Sequence, residues 1–444
     1  MKLYNSLSRS IEEFVPLNSP QVGMYTCGPT VYDFMHIGNL RTFVLSDLLL
    51  RTLKFNNYKV KAVENITDID DKIIARANEK GTSVSEIADE FTKFFIQDAS
   101  RLNISVDEII SPKATEYIPQ MIDYIEDLIE KGFAYEQDSS VYFDISKFEN
   151  YGKLSGVESR ELKTGTRSLS DNYEKDDVQD FALWKKDSEN GVESPWGLGR
   201  PGWHIECSVM SQENLGDTFD IHVGGIDLLF PHHENEIAQS EAKTGEKFAN
   251  YFVHGAHLFV DGKKMSKSLG NFYTLKDLKE KGFEPLALRY LYFQTHYRQE
   301  MNFTWESLQA SQNALIKLRN EVTDEKNGII SAQWERKFLN AINDDLNMPQ
   351  ALAIVWEMLK SDVLPEDKVA TLLAMDKVLG LGLGEKPEKE KIEIPAKVLE
   401  LVHEREKYRK DRRYEQADQR RNTIRKMGFD IVDKEDGTWE IIKL

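Results

Sequence analysis

The pattern of apolar and polar positions over the first third of the chain predicts strands that alternate with helices. In chain order the predicted elements are a strand at 23–27, a helix over 40–53, a strand at 58–67, a helix over 70–80 and a helix that ends near 103. Gly81 stops the second helix, and Ser83 with Glu86 has the spacing of a capping box ahead of the third. Such alternation favours a parallel sheet with crossover helices, as in open nucleotide-binding sheets.

The alternation changes beyond residue 112. The elements predicted there are a helix over 115–132, a strand at 141–145, and two strands at 220–223 and 251–259 that bracket a helix over 232–244. A polar stretch bearing Gly and Ser lies before residue 200, so we interpret 112–200 as an insertion between two halves of one sheet. The predicted fold class is therefore α/β, with a Rossmann-like parallel-sheet domain that is split in sequence.

The chain has a helical pattern beyond residue 304. The clearest segments are 310–322, 332–341 and 350–359, and Pro349 suits a first helical turn. A Gly-Leu-Gly-Leu-Gly run at 380–384 and the charged stretch up to 395 indicate a linker, after which one long helix is predicted over 398–427. The predicted division is a catalytic domain in two halves (1–111 and 201–303), the insertion (112–200), a helical bundle (304–384) and a small terminal domain (396–444).

The composition is that of a soluble globular protein. The 444 residues exceed one ordinary core, and 40% of them are hydrophobic and 30% charged. No stretch reaches the roughly 18 uncharged apolar residues that span a bilayer, and the first 16 residues lack the apolar run of a signal peptide. We therefore expect a cytoplasmic protein without membrane contact.

The net charge limits how the protein can bind nucleic acid, and the cysteine content limits the roles that its thiols can have. A formal net charge of −18 argues against polyanion binding over the whole surface, so any nucleic-acid contact must be local. The only cysteines, Cys27 and Cys207, lie far apart in a chain expected to be cytosolic, which makes a disulfide the poorer explanation. Metal ligation or simple burial remains.

Two short motifs suggest phosphate chemistry. The run His-Ile-Gly-Asn at 36–39 lies where a predicted strand has ended and a helix begins, so backbone amides and the helix dipole favour a bound phosphate, and His36 and Asn39 add side-chain donors. The run Lys-Met-Ser-Lys-Ser at 264–268 lies between two glycines and offers two ammonium groups on a flexible loop. Taken singly, each motif also has a purely structural explanation. The first could be a loop histidine beside a helix cap, and the second could be a solvated basic turn.

Together, in this order, the two motifs resemble the signature sequences of class I aminoacyl-tRNA synthetases. The resemblance implies attack of a carboxylate on ATP with release of pyrophosphate, so that the protein chiefly positions groups and stabilises charge. It implies that His36, Gly38 and Asn39 bind ATP, and that Lys264 and especially Lys267 stabilise the departing pyrophosphate together with Mg²⁺. The fourth signature position, often histidine, is Asn39 here, and asparagine still donates a hydrogen bond.

Candidate metal ligands lie outside these motifs. Besides Cys27 and Cys207, His232 and Glu236 stand four residues apart, which would place imidazole and carboxylate on one helical face. From the residues alone, an intrahelical His–Glu pair with two buried thiols is an equal alternative, and His233 competes with His232.

Three segments resemble motifs of cysteinyl-tRNA synthetases, and the resemblance spans nearly the whole chain. They are Thr-Cys-Gly at 26–28, Gly-Trp-His-Ile-Glu-Cys at 202–207 and Phe-Pro-His-His-Glu-Asn-Glu at 230–236. The resemblance implies one Zn²⁺ held by Cys27, Cys207, His232 and Glu236, with the substrate thiolate as a further ligand. Because zinc favours sulfur over the hydroxyl of serine, we expect no editing domain.

The same resemblance places further residues at the substrates. It implies that Trp203 lines the amino-acid pocket and that Gly225 and Asp227 bind ATP through its ribose. Thr67 is expected to line the same pocket, because it lies at the predicted carboxyl end of a strand, where open α/β sheets bind ligands. A helix cap, a buried structural tryptophan and a simple glycine turn are the alternatives. Segment 405–426 carries ten lysines and arginines, which suits phosphate contacts, although basic helical faces are usually only solvated.

The predicted function is thus the ligation of L-cysteine to tRNA(Cys) with ATP, by a chain expected to be a monomer. The nearest competing function is a related ligase that transfers cysteine to an amino sugar, but such relatives lack a full anticodon-binding end. A zinc module that binds RNA without catalysis is the alternative of a different class, and the phosphate motifs argue against it.

Overall fold

The computed structural model describes residues 1–157, 167–168, 179–266, 270–322, 328–385, 395–411, 413–433 and 439–443. The chain divides into two compact units, Met1–Gly384 and Glu385–Leu444. The finer division into five parts stays a prediction.

The first 110 residues form one half of the central sheet. Its elements are β1 (Lys2–Asn5), β2 (Ser10–Glu13), β3 (Gln21–Thr26), α1 (Ile37–Phe55), β4 (Lys59–Glu64), α2 (Asp71–Lys80), α3 (Val84–Arg101) and β5 (Ile109–Ile110). The predicted capping box is present, since the side chains of Ser83 and Glu86 each accept from the other's backbone amide. Gly81 ends α2 in the left-handed conformation, with φ of 66°, which glycine adopts without strain.

The segment predicted as an insertion carries its own sheet. Its elements are α4 (Ile118–Glu130), β6 (Ala134–Gln137), β7 (Ser140–Phe143), β8 (Arg167–Ser168), β9 (Asp180–Lys186) and β10 (Gly199–Pro201). The strand order is β10-β9-β7-β6 with antiparallel pairing, and β8 pairs with β9 in parallel.

The central sheet resumes after β10. The next elements are α5 (Trp203–Leu215), β11 (Phe219–Gly225), α6 (Glu234–Thr244), β12 (Ala249–Gly255), β13 (Leu258–Val260), β14 (Lys263–Lys264), α7 (Leu275–Glu280), α8 (Pro285–Phe293) and β15 (Met301–Phe303). The order in the central sheet is β12-β11-β3-β4-β5, and every pair is parallel. The split Rossmann-like sheet is therefore confirmed.

The single strand predicted over 251–259 is wrong. Its two halves are β12 in the central sheet and β13 in a separate three-stranded sheet with β14 and β15. Between them the guanidinium of Arg41 donates to the carbonyls of Ala256 and His257, each at 2.9 Å. These carbonyls are thus engaged by a side chain where the backbone passes from one sheet to the other.

A helical bundle completes the first unit. Its helices are α9 (Trp305–Asn320), α10 (Ala332–Ile342), α11 (Met348–Lys360) and α12 (Pro365–Leu379), of which α12 was not predicted. The linker prediction is wrong for 380–383, because Leu381 and Leu383 are buried in the core of this unit. The charged stretch at 386–394 lies outside the described residues. Among the described helices, none is both long and apolar enough to cross a membrane.

The central sheet separates two hydrophobic cores. Met24 of β3 faces the core that contains α1, α3 and the bundle, whereas its neighbour Tyr25 faces the core that contains α4, α5 and α6. This alternation follows from the two-residue period of a strand. Both faces are covered, as expected for a parallel sheet.

The second unit contains α13 (Ala396–Lys410), α14 (Tyr414–Lys426), β16 (Phe429–Asp433) and β17 (Trp439–Lys443). The single helix predicted over 398–427 is therefore wrong, since the chain leaves the helix after Lys410. Arg421 and Arg425 each lie 2.8 Å from Asp430 and hold the start of β16 against α14. Part of the predicted basic patch thus stabilises the fold of this unit.

Candidate functional site

Three neighbouring strands of the central sheet carry residues of the candidate site at their carboxyl ends. Cys27 directly follows β3, Asn65 directly follows β4, and Gly225 ends β11. The chain runs outward from β3 to β4 on one side and from β11 to β12 on the other. Open α/β sheets bind their ligands at the point where the strand order reverses in this way.

The four predicted metal ligands lie together. The sulfurs of Cys27 and Cys207 are 3.8 Å apart, and Nε2 of His232 is 3.6 Å from the sulfur of Cys207. Oε1 of Glu236 lies 3.4 Å from the sulfur of Cys27 and 2.9 Å from His232 Nε2. All four side chains are buried, and their donor atoms lie within 4.8 Å of one another.

These separations fit a tetrahedral ion. With metal–sulfur bonds of about 2.3 Å and metal–nitrogen bonds of about 2.1 Å, two sulfurs lie about 3.8 Å apart and sulfur and nitrogen about 3.6 Å. The two separations at Cys207, 3.8 and 3.6 Å, match these values. The Cys27–Glu236 separation of 3.4 Å is about 0.2 Å shorter than tetrahedral geometry requires, and the His232–Glu236 separation is about half an ångström shorter. The donor set therefore fits zinc.

A second donor set shares two of these residues and adds His222 and His233. His233 Nε2 is 3.2 Å from the sulfur of Cys27, and His222 Nε2 is 2.5 Å from Oε2 of Glu236. The latter separation is that of a hydrogen bond and is almost 1 Å below the roughly 3.4 Å between two ligands of one ion. His222 therefore orients Glu236 from outside the first set, leaving Oε1 directed at it.

The far side of His232 is also engaged. Its Nδ1 is 2.7 Å from Nδ1 of His204, and its ring lies 4.2 Å from the ring of Trp203 between centroids. If Nε2 of His232 uses its lone pair for a metal, Nδ1 carries the proton and donates to His204. Among the described residues the remaining nitrogen of His204, Nε2, has no hydrogen-bond partner.

Burial and mutual contact shift the pKa values of the cluster. Burial raises the pKa of Cys27 well above its ordinary value. At Cys207 burial acts in the same direction, but hydrogen bonds with Cys27 and His232 outweigh it and lower the pKa to about 6. At His232 burial is outweighed by the Glu236 carboxylate, which raises the pKa to about 10. Without a bound ion a Cys207 thiolate is thus paired with a protonated His232, and a metal would displace the protons of His232 and Cys27 on binding.

The predicted pocket residue Thr67 lies beside this cluster and is buried. Its hydroxyl donates to Oε2 of Glu206 at 2.6 Å and accepts from Nδ2 of Asn65 at 3.1 Å. Oδ1 of Asn65 accepts from the amide of Gly28 at 2.9 Å. A polar chain therefore connects the loop after Cys27 to α5, and burial raises the pKa of Glu206 well above its ordinary value.

His36 caps the helix that it was predicted to precede. Its Nδ1 accepts from the amides of Gly38 and Asn39, each at 3.1 Å, so these two amides are engaged by His36 itself. Burial lowers the pKa of His36, which favours the neutral ring. Because Nδ1 is an acceptor, the proton of the neutral ring is on Nε2, and His36 presents an N–H donor.

The second motif packs against the first. A Cβ built on Gly38 would lie 2.5 Å from Cε of Met265, and the amide of Ile37 donates to the carbonyl of Tyr273 at 2.9 Å. Lys264 is exposed in β14. Lys267, predicted to stabilise pyrophosphate, lies outside the described residues together with its two successors.

The predicted ATP residues at the end of β11 lie near His36. Gly225 is buried, and a Cβ there would lie 2.3 Å from Oδ1 of Asp227, so the carboxylate folds back over the glycine backbone. Asp227 is exposed, and its charge raises the pKa of His36 against the effect of burial. The structure therefore brings the His36 motif, Met265 and Asp227 to one edge of the sheet.

Comparison with known proteins decides the family. The profile of the class I (C) tRNA synthetase catalytic domain matches residues 13–313. A cysteine–tRNA ligase of Chlamydia muridarum is 44% identical over 468 aligned residues, covering 98% of each chain. The chain belongs to the cysteine–tRNA ligase family. A cysteine–tRNA ligase of Brachyspira hyodysenteriae is 42% identical, again with 98% of each chain covered.

Solved structures of other class I synthetases share the fold. A methionyl-tRNA synthetase of Mycobacterium tuberculosis in complex with methionyl-adenylate has a TM-score of 0.56 at 14% identity, covering 81% of this chain and 90% of that one. A LeuRS of Agrobacterium radiobacter K84 in a ternary complex with tRNA and LeuAMS has a TM-score of 0.59 at 10% identity, with coverages of 83% and 84%. As a member of the cysteine–tRNA ligase family, the enzyme uses ATP to aminoacylate tRNA.

Residues that sequence reasoning did not assign contribute to the site of this tRNA ligase. They are Asn65, Glu206, His204, His222 and His254, of which His254 places Nε2 2.8 Å from Nδ1 of His233. Their sequence signal is weak, because a histidine, an asparagine or a glutamate in or beside a strand or helix does not by itself indicate which residue it contacts. Only their contacts with the predicted ligands reveal a role.

Proposed function

We propose that this enzyme activates L-cysteine with ATP to cysteinyl-adenylate and pyrophosphate, and then transfers cysteine to the 3′ end of tRNA(Cys). The proposal is carried by one observation: four buried donors converge at the carboxyl ends of the strands of the central sheet, whose edge also carries His36 and Asp227. The full-length matches to cysteine–tRNA ligases support tRNA, rather than an amino sugar, as the acceptor.

We assign one Zn²⁺ to Cys27, Cys207, His232 and Glu236. When bound, this ion would supply a site for the substrate sulfur that serine, a poorer ligand with a far less acidic proton, cannot fill as well. The protein residues hold the donor geometry: His222 orients Glu236, and His204 orients His232. Replacing a residue that hydrogen-bonds to a metal ligand typically changes metal affinity by about 10- to 100-fold.

The phosphate side of the proposal rests on His36, Asn39, Gly225, Asp227 and the lysine loop. The Nε2–H of His36 donates to an ATP phosphate, and Asp227 binds ribose hydroxyls. Lys264 and Lys267 stabilise the pyrophosphate with Mg²⁺. The bundle and the second unit contact tRNA. A cytoplasmic location and a monomeric state remain predictions.

Metal analysis combined with amino-acid-dependent exchange of pyrophosphate into ATP tests the proposal. We expect about one zinc per chain and exchange with cysteine but not with serine. Active enzyme without metal, or exchange as fast with serine, would contradict it. Charging of tRNA(Cys), with an amino sugar as the competing acceptor, tests the second step.

The histidine assignment has a matched test. His232→Asn removes a proposed ligand, whereas His233→Asn alters the adjacent buried histidine, which contacts Cys27 from the other donor set. We expect zinc content to fall only in the first variant. Loss of zinc in His233→Asn with retention in His232→Asn would favour the other set.

A further inference from the structure

Glu206 directs a buried carboxyl group at the amino-acid pocket. It stands one position before Cys207 on α5 and is 1% exposed, and its Oε2 accepts from the hydroxyl of Thr67 at 2.6 Å. A carboxyl buried this deeply costs free energy unless it makes a specific contact. Thr67 provides that contact.

The hydrogen bonds of Thr67 use the proton of its hydroxyl and one of the two lone pairs on its oxygen. A hydroxyl has one proton to donate and two lone pairs. The proton goes to Glu206, and one lone pair accepts from Nδ2 of Asn65 at 3.1 Å. Asn65 cannot exchange its two amide ends freely, because its Oδ1 accepts from the amide of Gly28. The hydroxyl is therefore held as an acceptor with one lone pair left.

The Thr67 hydroxyl is connected to the sulfur cluster through the side-chain amide of Asn65. Oδ1 of Asn65, at the other end of the amide that contacts Thr67, is 3.6 Å from the sulfur of Cys207. In cysteine the ammonium group is only a few bonds from the sulfur, and an ammonium can only donate. A substrate that brings its thiol to the cluster thus brings a donor to the region of Thr67.

We propose that Glu206 is a positioning residue that makes Thr67 an obligate acceptor, so that the site requires the α-ammonium group of the amino acid as well as its thiol. The inference rests on the proposed use of cysteine. Oε2 of Glu206 accepts from Thr67 when the carboxyl is ionised and also when its proton is on Oε1. Its consequence is discrimination against thiol acids that lack an amine.

Three substitutions at Glu206 separate orientation from charge. Glu206→Gln keeps the length and an acceptor oxygen, Glu206→Asp keeps the charge but is one methylene too short, and Glu206→Ala removes both. Thr67→Val removes the hydroxyl at nearly constant volume. Glu213→Gln, at an exposed position of the same helix, is the matched control.

The assay is pyrophosphate exchange with L-cysteine as substrate and 3-mercaptopropionate, which lacks the amine, as competitor. We expect Glu206→Ala, Glu206→Asp and Thr67→Val to raise the KM for cysteine about ten-fold or more, with the KM for ATP, the zinc content and the Ki of 3-mercaptopropionate unchanged. Glu206→Gln and the control should stay near wild type. Because the two residues act as a unit, Glu206→Ala combined with Thr67→Val should be no worse than Thr67→Val alone.

Two results would overturn the inference. One is a normal KM for cysteine in zinc-loaded Glu206→Ala. The other is parallel weakening of cysteine and 3-mercaptopropionate, which would show a structural role only. Wild-type enzyme that lacks metal would instead refute the proposed function, so the two failures are distinguishable.

Discussion

Arg289 is predicted to be the most important single charge for the stability of the first unit. It lies on α8 with its side chain fully buried, and it donates to the carbonyls of Leu379 at 2.7 Å and Leu102 at 2.9 Å. Its Nη2 is 2.5 Å from Oδ2 of Asp47, which is equally buried and also accepts from Arg51. One guanidinium thus joins the ends of α3 and α12 to the helix that begins at the first ATP motif.

The magnitude follows from what Arg289→Met leaves behind. The variant keeps an apolar chain of similar length but leaves the carbonyls of Leu379, Leu102 and Asn103 without this donor and Asp47 with a single cation. Breaking a buried pair by removing one partner costs about 3–5 kcal/mol. With a urea m-value of about 3 kcal/mol/M, the midpoint of unfolding should fall by about 1 M or more.

Urea unfolding followed by tryptophan fluorescence measures this shift. Arg101→Met is the control, because Arg101 pairs with Asp98 at 3.1 Å but its side chain is 46% exposed, and such pairs contribute about 1 kcal/mol at most. Arg289→Met combined with Asp47→Asn should cost less than the sum of the single variants, since no carboxylate is left there to be compensated. A midpoint for Arg289→Met equal to that of the control would refute the reasoning.

Four further outcomes are expected. Cys207→Ser should lose zinc and cysteine-dependent exchange together, and retained zinc with full exchange would contradict the ligand assignment. Gly38→Ala should slow pyrophosphate exchange because the new methyl group meets the side chain of Met265. Adding Met265→Ala should restore part of the rate, and no recovery would contradict the packing of the second motif against the first. Lys267→Ala should lower the rate of exchange while leaving zinc content unchanged. Burial would raise the pKa of Asp47, but Arg289 and Arg51 outweigh it and hold the pKa below its ordinary value. The stability that results is complete above about pH 4–5 and is lost as the pH falls through the lowered pKa, so Asp47→Asn should be less sensitive than wild type to acid in urea titrations from pH 7 to pH 3.

The central sheet was predictable because its signals are local. The strands β3, β4 and β11 lie in predicted β-rich runs next to a turn or a helix, whereas the two-residue β5 was not predicted. The capping box at Ser83 needs only its own segment. The errors arose where tertiary contacts decide. The break between β12 and β13 depends on Arg41, more than 200 positions away in sequence, which takes up the carbonyls at the junction.

The four candidate metal ligands lie together as the sequence predicted, but the His232–Glu236 pair does not form for the reason first given. A spacing of four residues was expected to put His232 and Glu236 on one helical face. In the structure α6 begins at Glu234, and Phe230 is extended, with φ of −140°, so His232 lies in an irregular turn before the helix. The pair forms nevertheless, because the turn directs His232 towards Cys207 and its neighbour His233 towards Cys27. No sequence pattern distinguishes these two directions.

Gly202 packs the helix that carries Cys207 against the sheet of the insertion. This residue begins α5, and its amide donates to the carbonyl of Leu183 in β9 at 2.8 Å. A Cβ there would lie 2.1 Å from the carbonyl oxygen of Ala182, so only glycine lets α5 start directly against β9. Trp203, Glu206 and Cys207 all lie on the first turns of α5. The sheet of the insertion therefore sets where one candidate metal ligand and two candidate pocket residues stand, although none of its described strands pairs with the central sheet.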